Sequence, residues 1–531
     1  MRVLGVEGTA WCASAAVHDT ETDETFIESD AYEPESGGIH PREAAEHMGE
    51  SIPRVVETAV EYADAHGGID VVAFSQGPGL GPCLRVAGTA ARALAGSLDV
   101  PLVGVNHMVA HLEIGRHSAG FDSPVCLNAS GANAHLLGYH DGRYRVLGET
   151  MDTGVGNAID KFTRHVGWSH PGGPKVEAAA TDGEYIELPY VVKGMDFSFS
   201  GITSAAKAAV DEGRPVEDVC FSLQEHLFAM LTEVSERALS LTGSEELVLG
   251  GGVGQNDRLR EMLASMCEER GAEFHAPESR VLRDNAGMIA VLGAKMAAAG
   301  DTISIEESAI DPNFRPDEVP VTWHEGTSVA APTSLSGPQR GAEAVVEIRD
   351  GTVVKRRLPK NYRHEELDAT LRRDRTVLEA RLTSETRRHG VPTPLVHDVN
   401  VPEATLTLQH VGEQDLAGGL TTGRTRTLGG YLATLHDVGV VHGDPTTRNV
   451  RVSEDRLYLI DFGLGYYSGH PEDHAMDLHV FEGSVAGTAP EPEPLIQAFE
   501  TGYEAKAGEA SDEEESVLAR LAEVRGRGRY Q

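Results

Sequence analysis

The chain of 531 residues is longer than a single hydrophobic core normally organises, so we expect two or three domains. Its 83 acidic and 45 basic residues give a net charge of −38, spread along the chain, and only eight of the basic residues are Lys. In low salt such a protein would repel nucleic acid, but the balance favours adaptation to molar salt, where the Debye length falls to about 3 Å and a local basic face still meets RNA.

Sequence features of membrane proteins and of disulfide frameworks are absent. No run of 18 apolar residues occurs, and residues 1–5 lack the apolar stretch of a signal peptide. The five cysteines form no Cys-x-x-Cys pair, which argues against a disulfide framework or a zinc ribbon. We therefore expect a cytoplasmic protein with reduced thiols and no membrane partner.

The predicted elements of the first part of the chain occur twice in the same order. Short apolar runs between turn residues predict strands, and longer stretches with helical periodicity predict helices. The first set comprises strands 2–7, 13–18, 26–29, 71–75 and 100–105, with helices 41–65 and 84–97. The second set comprises strand 125–129, hairpin 135–139/144–149, strand 246–249 and a helix from 256. This repetition predicts a duplicated α/β subdomain with a cleft between its halves.

Two histidines follow the strand 100–105 directly. Asn106 is a plausible N-cap, so His107 and His111 fall in the first turns of a helix, on one face. Two neutral imidazoles at this spacing can bind one divalent metal. A bare His-x-x-x-His is more often two unrelated helix residues. The zinc-peptidase motif needs Glu after the first His, and this chain has Met108.

Glycine-rich turns end strands or begin helices at five places in the same region. They lie at 5–9, 77–81, 130–133, 172–174 and 250–254. Backbone N–H groups without a neighbouring Cβ can surround a phosphate there, although one such turn alone is ordinary. Five of them in a duplicated architecture predict nucleotide binding.

A polar stretch without periodicity separates this region from a second one. We divide the chain into a first domain, 1–323, a linker, 324–339, and a second domain, 340–531. In the second domain we predict strands at 342–348 and 352–356, a basic helix at 367–388 and a hairpin at 450–460.

The second domain carries two kinase motifs. His442-Gly443-Asp444 with Asn449 keeps the spacing of the kinase catalytic loop, and Asp461-Phe462-Gly463 matches the metal-binding triplet. Asp444 would accept the hydroxyl proton, and Asn449 and Asp461 would bind Mg²⁺ with ATP. Lys355 lies on the expected strand, and Glu379 on the following helix is its candidate partner. No Ala-Pro-Glu follows Asp461, so the peptide-binding part is reduced.

Several segments of the first domain resemble the universal tRNA threonylcarbamoyltransferase family, the enzyme of the KEOPS complex within the actin-like and Hsp70-like ATPase superfamily. They are Ser75–Val86, the pair His107/His111, Gly156–Phe162 and Gly251–Val253. The resemblance implies a duplicated ribonuclease-H-like fold with two lobes. It also implies transfer of threonylcarbamoyl from threonylcarbamoyl-AMP, made by a separate synthase, to the exocyclic amine of the tRNA adenosine 3′ of the anticodon.

The same resemblance implies two sets of site residues. His107, His111 and Asp284 would hold an iron or zinc ion. The adenylate would be bound by Asn128, Ala129, Ser130, Gly131, Ala132, Asp160, Gly173, Glu177 and Asn256. Plainer alternatives stay open: Asp284-Asn285 as the N-cap of an apolar helix, and Asp160 and Glu177 as solvated helix charges. Archaeal relatives carry Tyr where this chain has Asn128, so we keep Asn128 in the substrate loop and outside the metal shell.

The second domain resembles the small RIO-like kinase of KEOPS, here fused to its usual partner. The likeness includes Gly341–Ala344, with Gly341 and Ala342 in the ATP-binding turn, and Arg356–Arg363. It implies autophosphorylation or ATP hydrolysis that regulates the transferase, together with small KEOPS subunits as partners.

Arginine-rich segments offer places for tRNA phosphates to bind. The C-terminal 525–529 segment, exposed and without compensating acids in the sequence, is the better candidate. For the arginines of the long helix, two interpretations stay open: contact with tRNA, or a helix face paired with Glu365, Glu366 and Glu379. These arginines are Arg372, Arg373, Arg375, Arg387 and Arg388. Alternatives to a bifunctional tRNA-modifying enzyme are a metallopeptidase and an ATP-binding scaffold with a regulatory kinase.

Overall fold

A computed structural model gives the fold of the chain in two compact units. The first comprises residues 1–191 and 197–332, and the second comprises residues 192–196 and 333–528. Within them, the structure describes residues 1–32, 40–140, 142–324, 339–349, 351–454, 456–507 and 516–526.

The first unit contains most of the predicted strands and helices. Its strands are β1 (Arg2–Glu7), β2 (Cys12–Asp19), β3 (Glu24–Ala31), β4 (Val71–Gly77), β5 (Leu102–Asn106), β6 (Val125–Ala129), β7 (Ala134–His140), β8 (Arg143–Glu149), β11 (Glu246–Gly250) and β12 (Glu273–His275). Between β8 and β11 the chain forms the short pair β9 (Val192–Lys193) and β10 (Asp196–Phe197), of which residues 192–196 belong to the second unit. Its helices are α1 (Pro41–Ala65), α2 (Gly81–Leu98), α3 (His107–Ala119), α4 (Val155–His165), α5 (Gly173–Ala180), α6 (Ser200–Asp211), α7 (Val216–Thr242), α8 (Asp257–Arg270), α9 (Ser279–Leu282) and α10 (Ala286–Ala298).

The two large sheets of this unit have the same topology. The first has the order β3-β2-β1-β4-β5, and the second, taken from its other end, has the order β8-β7-β6-β11-β12. In each, three antiparallel strands are followed by two parallel ones. The predicted duplication of a mixed α/β subdomain is therefore confirmed by the strand order.

Two large apolar clusters pack the described part of the first unit. One lies between the first sheet and helices α1 and α2, where Phe74 and Met48 are fully buried. The other contains residues of both sheets and of α3 and α10, including Val109, Val248 and Met288. Helices α3 and α10 pack against each other within it, and Asp284, just before α10, contacts His107 at the start of α3. No helix in the described part of the chain has the length and apolarity needed to span a bilayer.

The second unit has an antiparallel sheet followed by a mainly helical part. Its strands are β13 (Gln339–Arg340), β14 (Ala344–Arg349), β15 (Thr352–Arg357), β16 (Val396–Asn400), β17 (Thr405–Gln409), β18 (Gln414–Asp415), β19 (Val440–Val441), β20 (Val450–Ser453), β21 (Arg456–Leu459) and β22 (Tyr466–Tyr467). Its helices are α11 (Glu365–Arg388), α12 (Thr422–Asp437), α13 (Pro471–Ala486), α14 (Glu493–Glu504) and α15 (Val517–Gly526).

Helix α11 packs against the five-stranded sheet, whose order is β13-β14-β15-β17-β16. Leu406 and Leu408 of β17 and Ala380 of α11 form the apolar contact between them. Acidic residues in the first turn of α11 and Arg387 and Arg388 in its last turn match the helix dipole. The sheet thereby places β15 and α11, which carry Lys355 and Glu379, opposite each other.

Candidate functional site

The positions of His107 and His111 at the start of α3 are fixed by the cap of that helix. The Asn106 side chain accepts hydrogen bonds from the backbone N–H groups of Met108 (3.0 Å) and Val109 (3.1 Å), as the sequence predicts. His107 and His111 then lie one turn apart with ring centroids separated by 4.8 Å, and both rings are almost fully buried. The α3 residues around them pack in the core, which restricts the imidazoles to this arrangement.

Asp284 lies between the two imidazoles and α10. Its Oδ1 atom is 3.3 Å from His107 Nε2 and 3.1 Å from His111 Nε2. One ligand atom from each of the three residues lies within 4.8 Å of the others. The N-cap of α10 is Asn285, whose side chain accepts from Met288 N, so the alternative role of Asp284 as that cap is not the one observed.

Two residues that the sequence analysis did not single out hold this cluster in place. Glu7, at the end of β1 and fully buried, accepts a hydrogen bond from His107 Nδ1 at 3.1 Å. Trp11 donates its indole N–H to the second carboxylate oxygen of Asp284 at 2.8 Å. An acidic residue ending an otherwise apolar strand, just before Gly8-Thr9, was the available signal for Glu7.

The electrostatics of the cluster favour one shared positive charge. Burial disfavours the charged form of His107, but the carboxylates of Glu7 and Asp284 outweigh it and raise the pKa of His107 to about 10. Burial lowers the pKa of His111. Burial alone would raise the pKa of Asp284, but the two imidazoles, His107 first, hold it well below its usual range.

The donor set fits a divalent transition metal. Two imidazole Nε2 atoms and a carboxylate oxygen are ligands common to zinc and non-haem iron, and three protein ligands leave positions for substrate. A metal-binding His ordinarily donates its other ring N–H to an outer carboxylate, which fixes its tautomer. Glu7 is such an outer carboxylate for His107, and Trp11 donates a hydrogen bond that orients the carboxylate of Asp284 in the same way.

The predicted substrate loop 128–132 lies against the start of α4. The N–H groups of Gly156 and Asn157 donate to the carbonyls of Ser130 (3.2 Å) and Gly131 (2.9 Å). A Cβ at Gly156 would lie 2.8 Å from Gly131 Cα, so only Gly allows this approach. The loop therefore meets the N-terminus of α4, where backbone dipoles favour an anionic group.

The other predicted adenylate residues continue this region. Asp160 of α4 accepts from Gly172 N (2.8 Å) and lies 3.2 Å from His170, so it holds the turn that precedes Gly173. Glu177 of α5 accepts from Asp257 N (2.9 Å).

Asn256, the last predicted adenylate residue, lies at the start of α8. Its side chain caps α8, accepting from the N–H groups of Arg258 and Leu259, and its amide donates to Gln224 (3.1 Å). Nothing lies within 4 Å of a Cβ built on Gly173, so that backbone faces open space. Contacts through α4, α5 and α8 thus connect all the predicted adenylate residues.

Three buried polar atoms near the histidines have no hydrogen-bond partner among the described residues. They are His111 Nδ1, Asn128 Oδ1 and His135 Nε2. Asn128 and His135 are paired across β6 and β7, and the amide of Asn128 points to Met108 Sδ at 3.3 Å. Burial lowers the pKa of His135 to about 3, so this imidazole is neutral. Polar atoms at such depth normally have partners, which fits the binding of a polar ligand here.

In the second unit, the predicted pair of Lys355 and Glu379 is formed. Lys355 Nζ lies 2.9 and 3.1 Å from the two carboxylate oxygens of Glu379 and 2.6 Å from Asp461 Oδ1. Glu379 is also bound by Arg357 Nη2 at 2.5 Å, a contact that the sequence analysis missed. Burial disfavours the charge on Lys355, but Asp461 and Glu379 outweigh it and raise its pKa.

Asp444 and Asn449 are also brought together. The amide of Asn449 donates to the carbonyl and the carboxylate of Asp444, both at 2.8 Å. Asp477 of α13, another residue not predicted, accepts from the backbone N–H groups of His442 (2.7 Å) and Gly443 (2.8 Å). Asp461 has a left-handed backbone (φ 63°), which is uncommon for Asp and concentrates at functional sites.

The remaining predicted positions are occupied as follows. Gly341 lies in the turn between β13 and β14, where its N–H donates to Ala344 O (2.9 Å), and the carbonyl of Ala342 accepts from Lys360. The helix arginines are paired with acids other than those predicted: Arg372 with Asp368, Arg373 with Asp374, and Arg375 with Glu343.

The expectation that the C-terminal arginines lack compensating acids is wrong for Arg525. Its guanidinium bonds both Glu482 of α13 and Glu500 of α14, two carboxylates distant in sequence. The rest of that segment, from residue 527, lies outside the described residues.

Comparison with known proteins identifies one family. A family model described as tRNA N6-adenosine threonylcarbamoyltransferase matches residues 22–291. A protein of Halobacterium salinarum named "Probable bifunctional tRNA threonylcarbamoyladenosine biosynthesis protein" is 69% identical and covers 100% of this chain and 99% of its own length. Proteins of the same name from Haloarcula marismortui (65% identical, 100% of both chains) and Methanospirillum hungatei (49% identical, 99% of both chains) align as completely.

Proposed function

The chain belongs to the tRNA N6-adenosine threonylcarbamoyltransferase family, and from this premise we propose that its first unit transfers threonylcarbamoyl from threonylcarbamoyl-AMP to the exocyclic amine of the tRNA adenosine 3′ of the anticodon. The observation that carries the proposal is the meeting of His107, His111 and Asp284 beside the glycine-rich adenylate region. We further propose that the protein works in the cytoplasm at molar salt, with tRNA, a separate adenylate-forming synthase and small KEOPS subunits as partners.

The transfer exchanges one bond to the carbamoyl carbon for another. The adenosine N6 attacks the carbonyl carbon, the bond from that carbon to the phosphate oxygen of AMP breaks, and the proton that N6 loses passes to the departing phosphate or to solvent. We assign the backbone at Gly173, which faces open space at the start of α5, to the adenylate phosphate, whose charge it would stabilise as AMP leaves. AMP leaves readily, so the proposal requires no strong general base.

We assign His107, His111 and Asp284 as the residues that would hold an iron or zinc ion. Such an ion would act as a Lewis acid toward the carbamoyl oxygen. Glu7 fixes the His107 ring by accepting a hydrogen bond from Nδ1–H, so Nε2, once deprotonated, would be the atom that holds the ion. Asn128 Oδ1 and His135 Nε2, buried and without partners among the described residues, are available to the polar threonyl group.

The test is nucleoside mass analysis of tRNA incubated with the full chain, threonine, bicarbonate, ATP and an adenylate-forming enzyme. We expect threonylcarbamoyladenosine with the wild type and none with His107→Ala or Asp284→Asn. His117→Ala is the matched control, because His117 lies on the same helix and pairs with exposed Asp23. Unmodified tRNA with the wild type, or full modification with His107→Ala, would contradict the proposal.

The same assay separates the two alternative functions. A scaffold without transferase chemistry would leave modification intact in His107→Ala. A metallopeptidase would release peptide fragments in a manner dependent on both histidines. The latter lacks the general base of the zinc-peptidase motif, because Met108 follows His107 where that motif has Glu.

We propose that the second unit is a small kinase-like domain that uses Mg-ATP to regulate the transferase, by phosphorylation or by ATP hydrolysis. The contacts among Lys355, Glu379 and Asp461, and between Asp444 and Asn449, support this assignment. In the kinase pattern, Lys355 contacts phosphate oxygens, Asn449 and Asp461 hold Mg²⁺, and Asp444 accepts the proton of a hydroxyl.

The kinase proposal is tested with γ-labelled ATP and the full chain. We expect label transfer to protein, or release of labelled phosphate, that is lost in Asp461→Asn. Asp398→Asn, an exposed Asp on β16 of the same unit, should retain the wild-type rate. Equal rates in both variants would assign the activity elsewhere.

A further inference from the structure

An exposed arginine lies over a tryptophan ring beside the histidine cluster. The guanidinium carbon of Arg283 is 5.3 Å from the centroid of the Trp11 ring, which is within the range of a cation–π contact. Trp11 directly precedes β2 and is half-buried, whereas Arg283 directly precedes Asp284 and is exposed. The two residues are distant in the sequence, so the fold itself brings them together.

Trp11 connects this pair to the cluster. Its indole N–H donates to Asp284 Oδ2 at 2.8 Å, and Oδ1 of the same carboxylate lies 3.1 Å from His111 Nε2. A Cβ built on Gly252 would lie 3.6 Å from Arg283 Cγ, so the methylene groups of Arg283 lie against the glycine-rich turn after β11. The pair is therefore one residue removed from the two imidazoles and adjoins that turn.

Arg283 differs from other arginines near this turn in having no acidic partner. Arg280 pairs with Glu278 (2.9 Å), and Arg258 pairs with Glu225 (2.6 Å). Within the described part of the chain, the side chain of Arg283 forms no ion pair and no hydrogen bond. In a chain of net charge −38, an exposed guanidinium that no carboxylate engages is available to an external ligand.

We propose that the Arg283–Trp11 pair is the platform on which the accepting adenine base of the RNA stacks, an inference that rests on the transferase function proposed above. Proteins that act on a nucleobase take it out of the helical stack and hold it against aromatic rings or guanidinium planes. The pair offers one surface of each kind, next to the carboxylate of Asp284. The edge of the base that carries the exocyclic amine can then face the histidine cluster.

A contact between Arg283 and an RNA phosphate alone fits the arrangement less well. A cation that binds only phosphate needs no aromatic neighbour, and phosphate contacts weaken steeply as the salt concentration rises. Stacking releases no counterions, so at molar salt it is retained while the phosphate contribution falls. The Trp11 ring beneath the guanidinium therefore favours a base as the ligand.

The test measures binding of two anticodon stem-loop RNAs to the full chain in molar KCl by fluorescence anisotropy. The RNAs differ only at the position 3′ of the anticodon, which carries adenosine in one and an abasic ribose in the other. Stacking of one base corresponds to about 5- to 150-fold in affinity. We expect Arg283→Ala to weaken binding of the adenosine RNA at least about fivefold and to leave binding of the abasic RNA unchanged.

Three further variants separate stacking from charge and from the bond to Asp284. Trp11→Phe keeps an aromatic face but removes the N–H donor, and we expect it to retain most of the preference for the adenosine RNA. Arg283→Lys keeps the charge but loses the plane, so it should bind as Arg283→Ala does. Arg42→Gln is the matched control, because Arg42 is exposed on α1 and pairs with Glu46, and it should bind both RNAs as the wild type does.

Three results would overturn the proposal. The first is equal affinity of the wild type and Arg283→Ala for the adenosine RNA. The second is an equal loss of affinity for both RNAs in Arg283→Ala, which would assign Arg283 to a phosphate. The third is wild-type binding by Arg283→Lys, which would show that only the charge is needed.

Failure of the platform can be distinguished from failure of the transferase function. If the wild type forms no threonylcarbamoyladenosine but Arg283→Ala still weakens binding of the adenosine RNA alone, the transfer assignment fails and the platform stands. If Arg283→Ala modifies tRNA with the kcat and KM of the wild type, the platform fails and the transfer assignment stands.

Discussion

Replacing Glu7 by Gln tests how the histidine cluster is organised. Both oxygens of the buried Glu7 carboxylate are used: Oε1 accepts from Thr9 N (2.8 Å) and Thr9 Oγ1 (2.5 Å), and Oε2 accepts from His107 Nδ1 (3.1 Å). In Glu7→Gln the amide oxygen should stay with the two Thr9 donors. The amide NH₂ then faces His107 Nδ1, which must become an acceptor.

The consequence is a change of tautomer with a calculable cost. If Nδ1 of His107 accepts, the remaining ring proton lies on Nε2, the atom 3.3 Å from Asp284 Oδ1, and His107 can no longer act as a ligand there. Outer-sphere partners of metal-binding histidines typically contribute 10–100-fold in metal affinity, on the order of 1.4–2.8 kcal/mol. We expect Glu7→Gln to lose at least about tenfold.

The measurement is zinc affinity of the full chain by competition with a chromophoric chelator. Glu236→Gln is the control, because Glu236 is equally buried but lies on α7 and pairs with Arg270. Imidazole ¹⁵N shifts of the metal-free variant should report the Nε2–H tautomer of His107. Unchanged zinc affinity in folded Glu7→Gln protein would refute the assigned role of Glu7.

Three further predictions concern other parts of the chain. Gly173→Val should weaken AMP binding about tenfold in titration calorimetry. It should not lower the melting temperature, because the added Cβ enters open space. Gly201→Val, equally unhindered at the start of α6, should change neither the AMP affinity nor the melting temperature. Asp152→Ala should cost about 1–2 kcal/mol, because its carboxylate accepts four hydrogen bonds at the start of α6. Burial alone would raise the pKa of Asp152, but these hydrogen bonds lower it. The contribution of Asp152 to the free energy of unfolding is therefore present above the unfolded pKa of about 3.9 and is lost as the pH falls. In calorimetry, the stabilities of the wild type and Asp152→Ala should converge in acid. Lys355→Met and Arg357→Met should each leave one cation bound to Glu379, the carboxylate that both residues share. In calorimetric unfolding, the double variant should therefore lose about 0.5–3 kcal/mol of stability more than the sum of the two single losses. Additive losses would contradict the sharing.

Local signals in the sequence were sufficient for most elements and for several site positions. Asn106 before an apolar helix identifies the start of α3, and α1 has the predicted bounds, 41–65, with Pro53 inside it. The kinase motifs led to Lys355 and Glu379 because the kinase pattern places a Lys on a strand and its Glu partner on the long helix that follows. Each of these inferences depends on neighbours within a few turns of the chain.

Contacts between residues far apart in the sequence were harder to predict. Strands β16 and β17 were not predicted, because β16 (Val-His-Asp-Val-Asn) and β17 (Thr-Leu-Thr-Leu-Gln) contain few apolar residues, although β17 pairs with β15 at the centre of the sheet. Glu7 and Arg357 were missed for a related reason. Their role follows from a partner 100 or 22 residues away, and no local pattern encodes such a partner. The Arg525 error arose because its acids, on α13 and α14, are not adjacent in sequence.

Burial determines which of the charges of this chain can organise a site in concentrated salt. Exposed pairs such as Arg42–Glu46 are screened within about 3 Å at 1 M, so they contribute little. Glu7 and Glu379 are at most 1% exposed, and each is bound through both oxygens by residues of its own unit. Since salt screens buried pairs much less, the orientation of His107 and Lys355 should be retained where the surface charges no longer act over distance. Raising KCl from low to molar concentration should therefore leave the zinc affinity of the wild type nearly unchanged.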